Sequence, residues 1–202
     1  MPLQLTYRKA TVKDFEDLYL IKCDQANIEW GGFKEAPNRE RFFEWYKIQI
    51  TSDKRTIYLV YDLDNPCAFF YIDKVDDVTY EFSSSGVLSQ YVGKGIGSYT
   101  VRVRIEIIRR LGGKNLITWI AEDNIASYKR FIKEGFTRTE EYETRNLPLL
   151  GGEHKFYQSI PECPPIARQQ QPTLRERIGR NCEIHTFLDL EDNLYTLLLN
   201  EK

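Results

Sequence analysis

GVLSQYVGKGIGSYTVRVRIEIIRRLGG, residues 86–113, joins an apolar approach, a glycine-rich turn, a long basic segment and a double-glycine stop. Three glycines alternate at Gly93, Gly95 and Gly97, and Ser98 follows them. Residues without a side chain let backbone amides approach a ligand closely, and a helix that begins here adds the positive end of its dipole. From Gly93 to Lys114 the chain has one acid, Glu106, against six basic residues: Lys94, Arg102, Arg104, Arg109, Arg110 and Lys114. It therefore predicts a binding site for a phosphate or pyrophosphate group.

Two common phosphate-binding loops fit this stretch poorly. A Walker loop requires Gly-Lys-Ser/Thr at its end, which the chain lacks. A dinucleotide fingerprint needs a third glycine where Ser98 stands and an acid about 20 residues later, where only Glu122 is near. A nucleotide-binding regulator, with ATP or NAD as the ligand of this loop, is one alternative.

A second segment, NLITWIAEDNIASYKRFIKEGF at 115–136, has a different pattern. An apolar run predicts a strand over 116–120, and turn and cap residues follow it. Residues 126–134 then predict a helix that Gly135 closes. The order is thus strand, cap, helix and Gly-Phe.

Together the two segments resemble the GNAT superfamily of acyl-CoA-dependent N-acyltransferases. The residues that fit its coenzyme-A phrase are Val87, Tyr91, Gly93, Lys94, Gly95, Ile96 and Gly97. Those that match its second motif, Asn-x-x-Ala/Ser-x-x-x-Tyr/Phe-x-x-x-Gly-Phe, are Asn124, Ser127, Phe131, Gly135 and Phe136. Two positions depart from the phrase, because Ser89 stands where proline is common and Val92 stands where the signature has Arg or Gln.

The resemblance implies an α/β (α+β) fold, with a mixed, mostly antiparallel sheet that is flanked by helices and opens near the strand ahead of the glycine loop. Residues 1–160 would form the acetyltransferase domain. Residues 161–202 would form a Pro- and Gln-rich linker and an extra C-terminal segment that packs on the domain or on a partner. A homodimer is one arrangement that this segment allows, and its apolar pattern is compatible with either a helix or a hairpin.

The remaining pattern predicts two helices and then an antiparallel meander. A capping box at 11–14 opens the first helix, which extends to about residue 26, and residues 27–37 are a loop. Asn38 caps the second helix. The predicted strands that follow cover 56–61, 67–72, 78–88 and, at the end, the antiparallel pair 138–144 and 154–160. The run at 101–108 alternates like a strand, but its context predicts a helix with Val101, Ile105, Ile108 and Leu111 on one stripe.

By the same resemblance, acetyl-CoA is the expected cosubstrate. The expected coenzyme contacts are Val87, Leu88, Val92, Gly93, Lys94, Gly95, Ile96, Gly97, Ser98, Asn124, Ser127 and Phe131. Backbone amides of the glycine loop and Ser98 would hold the pyrophosphate, and backbone groups of Val87 and Leu88 would pair with the pantetheine arm.

The implied reaction is direct transfer of the acetyl group to a primary amine of a small molecule or peptide. Glu81 lies on the polar face of the strand before the loop and is the candidate base. The family often has a tyrosine acid where this chain has Phe131, so Tyr128, one turn earlier on the same face, is the candidate acid. A non-catalytic acyl-CoA-binding or sensing protein is the alternative. Asp73, Asp76, Asp77 and Glu81 crowd the strands beside the expected cleft and favour a cationic amine.

Composition excludes several other classes. The 202 residues have a net charge of −2, so no overall basic excess points to nucleic acid. No run of 18 apolar residues indicates a membrane span, no signal peptide is recognised, and a cytoplasmic location is expected. The four cysteines are scattered without C-x-x-C spacing and there are two histidines, so neither a metal site nor a disulfide framework is expected.

Overall fold

The computed structural model describes residues 3–162 and 195–198. Five α-helices lie in these ranges: α1 (Phe15–Lys22), α2 (Gln25–Trp30), α3 (Arg39–Ile50), α4 (Ile96–Arg110) and α5 (Ile125–Lys133). The strands are β1 (Gln4–Lys9), β2 (Arg55–Asp62), β3 (Asn65–Lys74), β4 (Thr79–Phe82), β5 (Ser85–Val87), β6 (Asn115–Ala121), β7 (Phe136–Leu147), β8 (Gly152–Pro161) and β9 (Tyr195–Leu198).

The strands form one sheet in the order β7-β8-β6-β4-β3-β2-β1-β9, with β5 pairing to β3 beside this path. Only β4 and β6 pair in parallel among the described strands. A crossover through α4 joins them, as parallel neighbours require. The prediction of a mixed, mostly antiparallel sheet flanked by helices is confirmed.

The helices cover both faces of the sheet. On β3, the ring of Phe69 lies 4.3 Å from Nζ of Lys22 on α1, whereas the ring of Phe70 lies 5.6 Å from Cζ of Arg104 on α4. Since successive side chains on a strand point to opposite faces, α1 and α4 lie on opposite sides. Arg104 is also 6.0 Å from the ring of Phe131, which places α5 on the side of α4.

The first predicted helix is interrupted. The capping box is present, with Asp14 accepting from the backbone N–H of Thr11, but a 3-10 turn precedes α1. The helix ends at Lys22, and Asp24 then caps the short α2 by accepting from the N–H of Ala26. Because a second cap residue follows so closely, part of the loop predicted for 27–37 is helix.

The strand predicted over 78–88 is also two strands. Extended pairing stops after Phe82 and resumes at Ser85, although Ser84 still accepts a hydrogen bond from the N–H of Tyr71 on β3. The break lies in a run of three serines, whose small polar side chains give no apolar alternation to fix a register. This break positions the site described below.

Helix α4 is confirmed over 101–108, and Val101 and Ile108 of the predicted stripe are buried, but the stripe differs from the prediction at Leu111 and Arg104. Leu111 is 57% exposed, whereas Arg104 is only 1% exposed. The buried positions are Ile96, Tyr99, Thr100, Val101, Val103, Arg104, Ile107 and Ile108. The helix begins at Ile96, and counting from there brings Arg104 onto the face that packs on the sheet.

Within the C-terminal segment, Tyr195–Leu198 is described, and it pairs antiparallel with β1. The helical alternative is therefore wrong for these four residues. The predicted linker and the rest of the extension lie outside the described residues, and the domain division at 160/161 stays a prediction.

Candidate active site

The sheet opens beside the break between β4 and β5. Strand β4 pairs with β3 on one side and with β6 on the other, in the register Thr79↔Asn115 to Phe82↔Thr118. Strand β5 continues beside β3, with Val87 opposite Ala68, but no described strand pairs with its other edge. A cleft with free backbone groups along one wall therefore separates β5 from β6.

The glycine loop enters α4 at the same end of the sheet. Gly93 and Gly95 have φ of 81° and 82°, values that side-chain-bearing residues rarely adopt, and a Cβ at either would meet nothing within 4 Å. Gly95 caps α4 without a side-chain bond, so the first N–H groups of the helix have no side-chain acceptor from the cap. Val92 is 65% exposed. The loop has the conformation that glycine permits and the donors that an anion requires.

Ser89, which stands where the family phrase has proline, fastens this loop to α2. Its N–H and its hydroxyl both donate to the carboxylate of Asp24, each over 2.9 Å. The same carboxylate caps α2. In place of the rigid proline that is common in the family, Ser89 therefore supplies two hydrogen bonds that fix the residues leading into the glycine loop.

Gly97 has a different role from the other two glycines. A Cβ here would lie 2.2 Å from Nη1 of Arg130 on α5, so the absence of a side chain makes room for this guanidinium beneath the loop. Burial lowers the pKa of Arg130, and its Nε has no hydrogen-bond partner. A second cation, beyond Lys94, thus lies against the first turn of α4.

A cavity of about 120 Å³ occupies the opening between β5 and β6. Its lining is Trp30, Phe82, Ser83, Ser84, Ser85, Arg104, Thr118, Trp119, Ile120, Ala121, Asn124, Ser127, Phe131, Arg145 and Phe156. Trp30 packs with Trp119 in a small cluster, whereas Arg104 and Phe131 belong to the opposite face. The cavity therefore connects the two faces of the sheet.

Of the residues predicted for the site on α5 and at its cap, three line the cavity and one does not. Asn124 caps the helix by accepting from the N–H of Ser127 over 3.0 Å, as expected, and both residues line the cavity. Phe131 also lines it and is buried against Phe136. Tyr128 is half-buried and packs on the main core, outside the lining. Its role as an acid stays a prediction.

Glu81 lies on β4, one residue before the cavity lining begins at Phe82. Its carboxyl is half-buried, and burial raises its pKa, with the nearby carboxylates of Asp73 and Glu143 adding to the effect. The guanidinium of Arg145 acts in the opposite direction. A carboxyl with a raised pKa is better matched to proton transfer near neutral pH than an exposed one.

The other acids near the cleft already have partners. Asp73 forms a bidentate pair with Arg55, and Asp77 lies 2.9 Å from the ammonium of Lys74. Asp76 accepts from two backbone N–H groups in its own turn. Two of the four predicted acids are therefore neutralised by cations, whereas Asp76 and Glu81 have no ion pair in the described structure, and of these two Glu81 is the one without a backbone hydrogen bond in its own turn.

Leu88, an expected coenzyme contact, has both of its backbone polar groups in hydrogen bonds within the protein. Its N–H donates to the carbonyl of Cys67 over 2.9 Å, and its carbonyl accepts from the N–H of Tyr91 over 2.8 Å. The outer edge of β5, which includes Val87, is not paired with another described strand, although the carbonyl of Val87 accepts a hydrogen bond from Nδ2 of Asn27 over 3.4 Å. The site of pantetheine pairing therefore fits β5 better than the residue after it.

Sequence reasoning missed Arg104 and Arg130 as residues of this site. The charge pattern places Arg104 only in a basic stretch, although its spacing of eight from Ile96 and four from Thr100 follows the buried stripe of α4. No comparable signal exists for Arg130, which reaches Gly97 from another helix. Among the described residues, no group of three or more His, Cys, Asp or Glu residues is arranged to hold a metal.

Comparison with protein-family models matches residues 21–136 to the acetyltransferase (GNAT) family. The chain belongs to this family. The match includes the glycine loop, the cap of α5 and the Gly-Phe pair that follows it. The GNAT protein is thus an acyltransferase whose acyl donor is acetyl-CoA, as the motifs predicted, and no observation on the described residues favours a non-catalytic role.

Solved structures with the same fold are distant in sequence. The spermidine N-acetyltransferase of Vibrio cholerae in complex with CoA and spermine is 14% identical, with a TM-score of 0.69 over 78% of this chain and 94% of that one. YncA of Salmonella typhimurium, with its cofactor acetyl-CoA, is 18% identical, with a TM-score of 0.59 over 76% and 92%. A GNAT acetyltransferase of Streptococcus pneumoniae is 16% identical, with a TM-score of 0.60 over 78% and 99%. At these identities the likeness establishes the fold.

Comparison with curated protein sequences found no significant match. In the described ranges, no helix has the length and apolar character to cross a membrane.

Proposed function

We propose that this GNAT protein transfers the acetyl group directly from acetyl-CoA to a primary amine of a small molecule or peptide. The observation that carries the proposal is the cavity between β5 and β6, which connects the two faces of the sheet. A donor held on the side of α4 and an acceptor approaching from the side of α1 and α2 would meet inside it. Direct transfer needs no covalent enzyme intermediate, only two reactants held in line.

The donor would lie along the features that begin at the glycine loop. Backbone amides from Gly93 to Ser98 and the positive end of α4 would hold the pyrophosphate. Arg130, beneath Gly97, would supply the charge that the signature places at Val92. The pantetheine arm would add to the free edge of β5 as a partial strand, and its thioester would then lie at the opening.

The chemistry requires an unprotonated amine and a stabilised oxyanion. Glu81 would take a proton from the incoming amine, directly or through one water, because its pKa is raised and it adjoins the opening. A backbone N–H at the edge of β5 would polarise the thioester carbonyl. The amine nitrogen then forms the amide bond, the carbon–sulfur bond breaks, and CoA leaves as a thiolate that is protonated by solvent or by a side chain such as Tyr128.

The test is acetyl-CoA turnover with a panel of primary amines, followed as release of free thiol. The panel includes spermidine, the acceptor for which the Vibrio cholerae neighbour is named, with amino sugars and peptides that have a free amino terminus. For the best acceptor, Glu81→Gln is expected to lower kcat/KM by about 100-fold or more at neutral pH. Exposed Glu141 on β7 provides the control, since Glu141→Gln leaves this region unchanged.

The proposal has two separate points of failure. If the Glu81→Gln variant retains full turnover, Glu81 is not the base, but the proposed acetyl transfer still stands. Binding of acetyl-CoA without acceptor-dependent thiol release across the panel contradicts transfer to a primary amine.

A further inference from the structure

The guanidinium of Arg104 is a cation buried in the site without a carboxylate. Its Cζ lies 4.2 Å from the ring centroid of Phe82, and it donates to the carbonyl of Thr100 over 3.3 Å and to Oγ of Ser85 over 3.4 Å. No described acid forms an ion pair with it. Burial lowers its pKa to about 9, and the charge of Arg130 adds to this effect.

These contacts leave the charge incompletely compensated. Guanidinium has five N–H donors, and two of them are used, both in long hydrogen bonds. Cation–π contacts offset only part of the desolvation penalty of a buried ion that has no partner of opposite charge. An anion that enters with a ligand would supply the missing partner.

The surroundings of Arg104 suit a carboxylate better than a methyl group. Arg104 lines the cavity together with Ser83, Thr118 and Ser127. Oγ of Ser83 is buried there with no hydrogen-bond partner, so a second donor is available. The planar fork of arginine matches a carboxylate with two parallel hydrogen bonds, and an acetyl methyl would gain nothing from it.

The position on α4 assigns this cation to the donor and not to the acceptor. The helix begins at the glycine loop, and Arg104 follows Gly95 by nine residues, which is about 14 Å along the axis. An extended pantetheine arm can cover such a span. Arg104 therefore lies where the acyl end of a coenzyme bound at the loop would reach the opening, on the face of the sheet that α4 covers.

We propose that Arg104 binds the free carboxylate of a dicarboxylic acyl group, so that the protein accepts malonyl-CoA or succinyl-CoA as donors in addition to acetyl-CoA. This inference rests on the proposed function and extends its donor class. The amine attacks the thioester carbonyl, the carbon–sulfur bond breaks, and the proton lost by the amine balances the thiolate. The acceptor then carries an amide with a terminal carboxylate.

Calorimetric titration of the full chain with acetyl-CoA, malonyl-CoA and succinyl-CoA tests the inference. At least one carboxylated thioester is expected to bind about tenfold more tightly than acetyl-CoA. The malonyl and succinyl forms differ in reach, so the better of the two reports the distance from the thioester to the guanidinium. Arg104→Met is expected to abolish the preference, so that the carboxylated thioester binds no more tightly than acetyl-CoA, because the carboxylate contact is lost.

Two further variants serve as controls for the loss of charge and for misfolding. Arg110→Met, at the far end of α4 with its side chain half-exposed, should retain the preference. Arg104→Lys keeps the charge without the fork and should retain part of it, which also covers the case in which Arg104→Met does not fold.

Equal affinity of the wild type for all three thioesters overturns the inference while leaving the proposed function intact. An equal loss for all three thioesters in Arg104→Met also overturns it, since that pattern indicates a contact with the common part of the coenzyme. If no thioester binds the wild type, the proposed function itself fails.

Discussion

Lys22 allows a quantitative test of the packing around the sheet. It is 7% exposed, and its Nζ lies 4.3 Å from the ring centroid of Phe69 and 5.3 Å from that of Tyr71. Burial lowers its pKa from 10.5 to about 8, with a smaller contribution from the charge of Arg55. We expect Lys22→Met, which keeps the length of the side chain and removes the charge, to stabilise the protein at pH 7.

The magnitude and its pH dependence follow from linkage. The interval between 10.5 and about 8, at 1.36 kcal/mol per pH unit, sets an upper bound of about 3 kcal/mol. Loss of the cation–π contacts offsets part of it, so a gain of about 1–2 kcal/mol is expected at pH 7. Between pH 8 and 10.5 the unfolded chain holds the proton and the folded chain does not. The stability of the wild type therefore rises with pH relative to the variant, and the advantage of the variant disappears by about pH 10.

Denaturant unfolding at pH 7, 8, 9 and 10 measures this difference. All other titratable groups are present in both proteins, so their contributions cancel in the comparison. Lys129→Met, at an exposed position on α5, is the control and should show no pH-dependent difference from the wild type. A gain that is the same at every pH, or a variant that is less stable at pH 7, would refute the reasoning.

Two other predictions use matched pairs of positions. Gly95→Trp and Gly112→Trp each place a side chain at a positive φ, at a strain of about 1–2 kcal/mol, but only the first should abolish calorimetric binding of acetyl-CoA. If both variants bind it, the glycine loop does not hold the coenzyme. Asn124→Ala and Asn38→Ala each remove a helix cap and should lower the free energy of unfolding by about 1 kcal/mol. Only Asn124→Ala should also weaken acetyl-CoA binding, and equal affinity in the two variants would leave Asn124 with a structural role alone.

The sequence predicts the sheet and the glycine loop because their determinants are local. Gly93 and Gly95 are required by the backbone at their own positions, and the cap at Asn124 acts within one turn. The order of helices and strands along the chain then follows from the resemblance to the family. These features are encoded in a few adjacent residues, so spacing alone reveals them.

The sequence could not predict features that depend on distant packing. The break at Ser83 and Ser84 has no propensity signal, because the serines neither favour nor forbid an extended chain. Arg104 contradicts the usual rule that charged side chains lie outside, so a charge pattern assigns it to the wrong face. Arg130 lies on α5 and Gly97 on α4, and only the packing of these two helices brings the residues together.

The short parallel pairing between β4 and β6 links ligand binding to the stability of the fold. It joins Thr79–Phe82 to Asn115–Thr118, and it is the direct strand pairing between the two halves of the described sheet. Opening along this line breaks few strand hydrogen bonds, so it offers a route for sub-global unfolding. A coenzyme bound along β5, as proposed, would lie beside the same line, and its saturation would add RT ln(1 + [L]/Kd) to the stability of the fold. The supply of acyl donor would thereby set how long each copy of the protein survives proteolysis, as well as how fast it works.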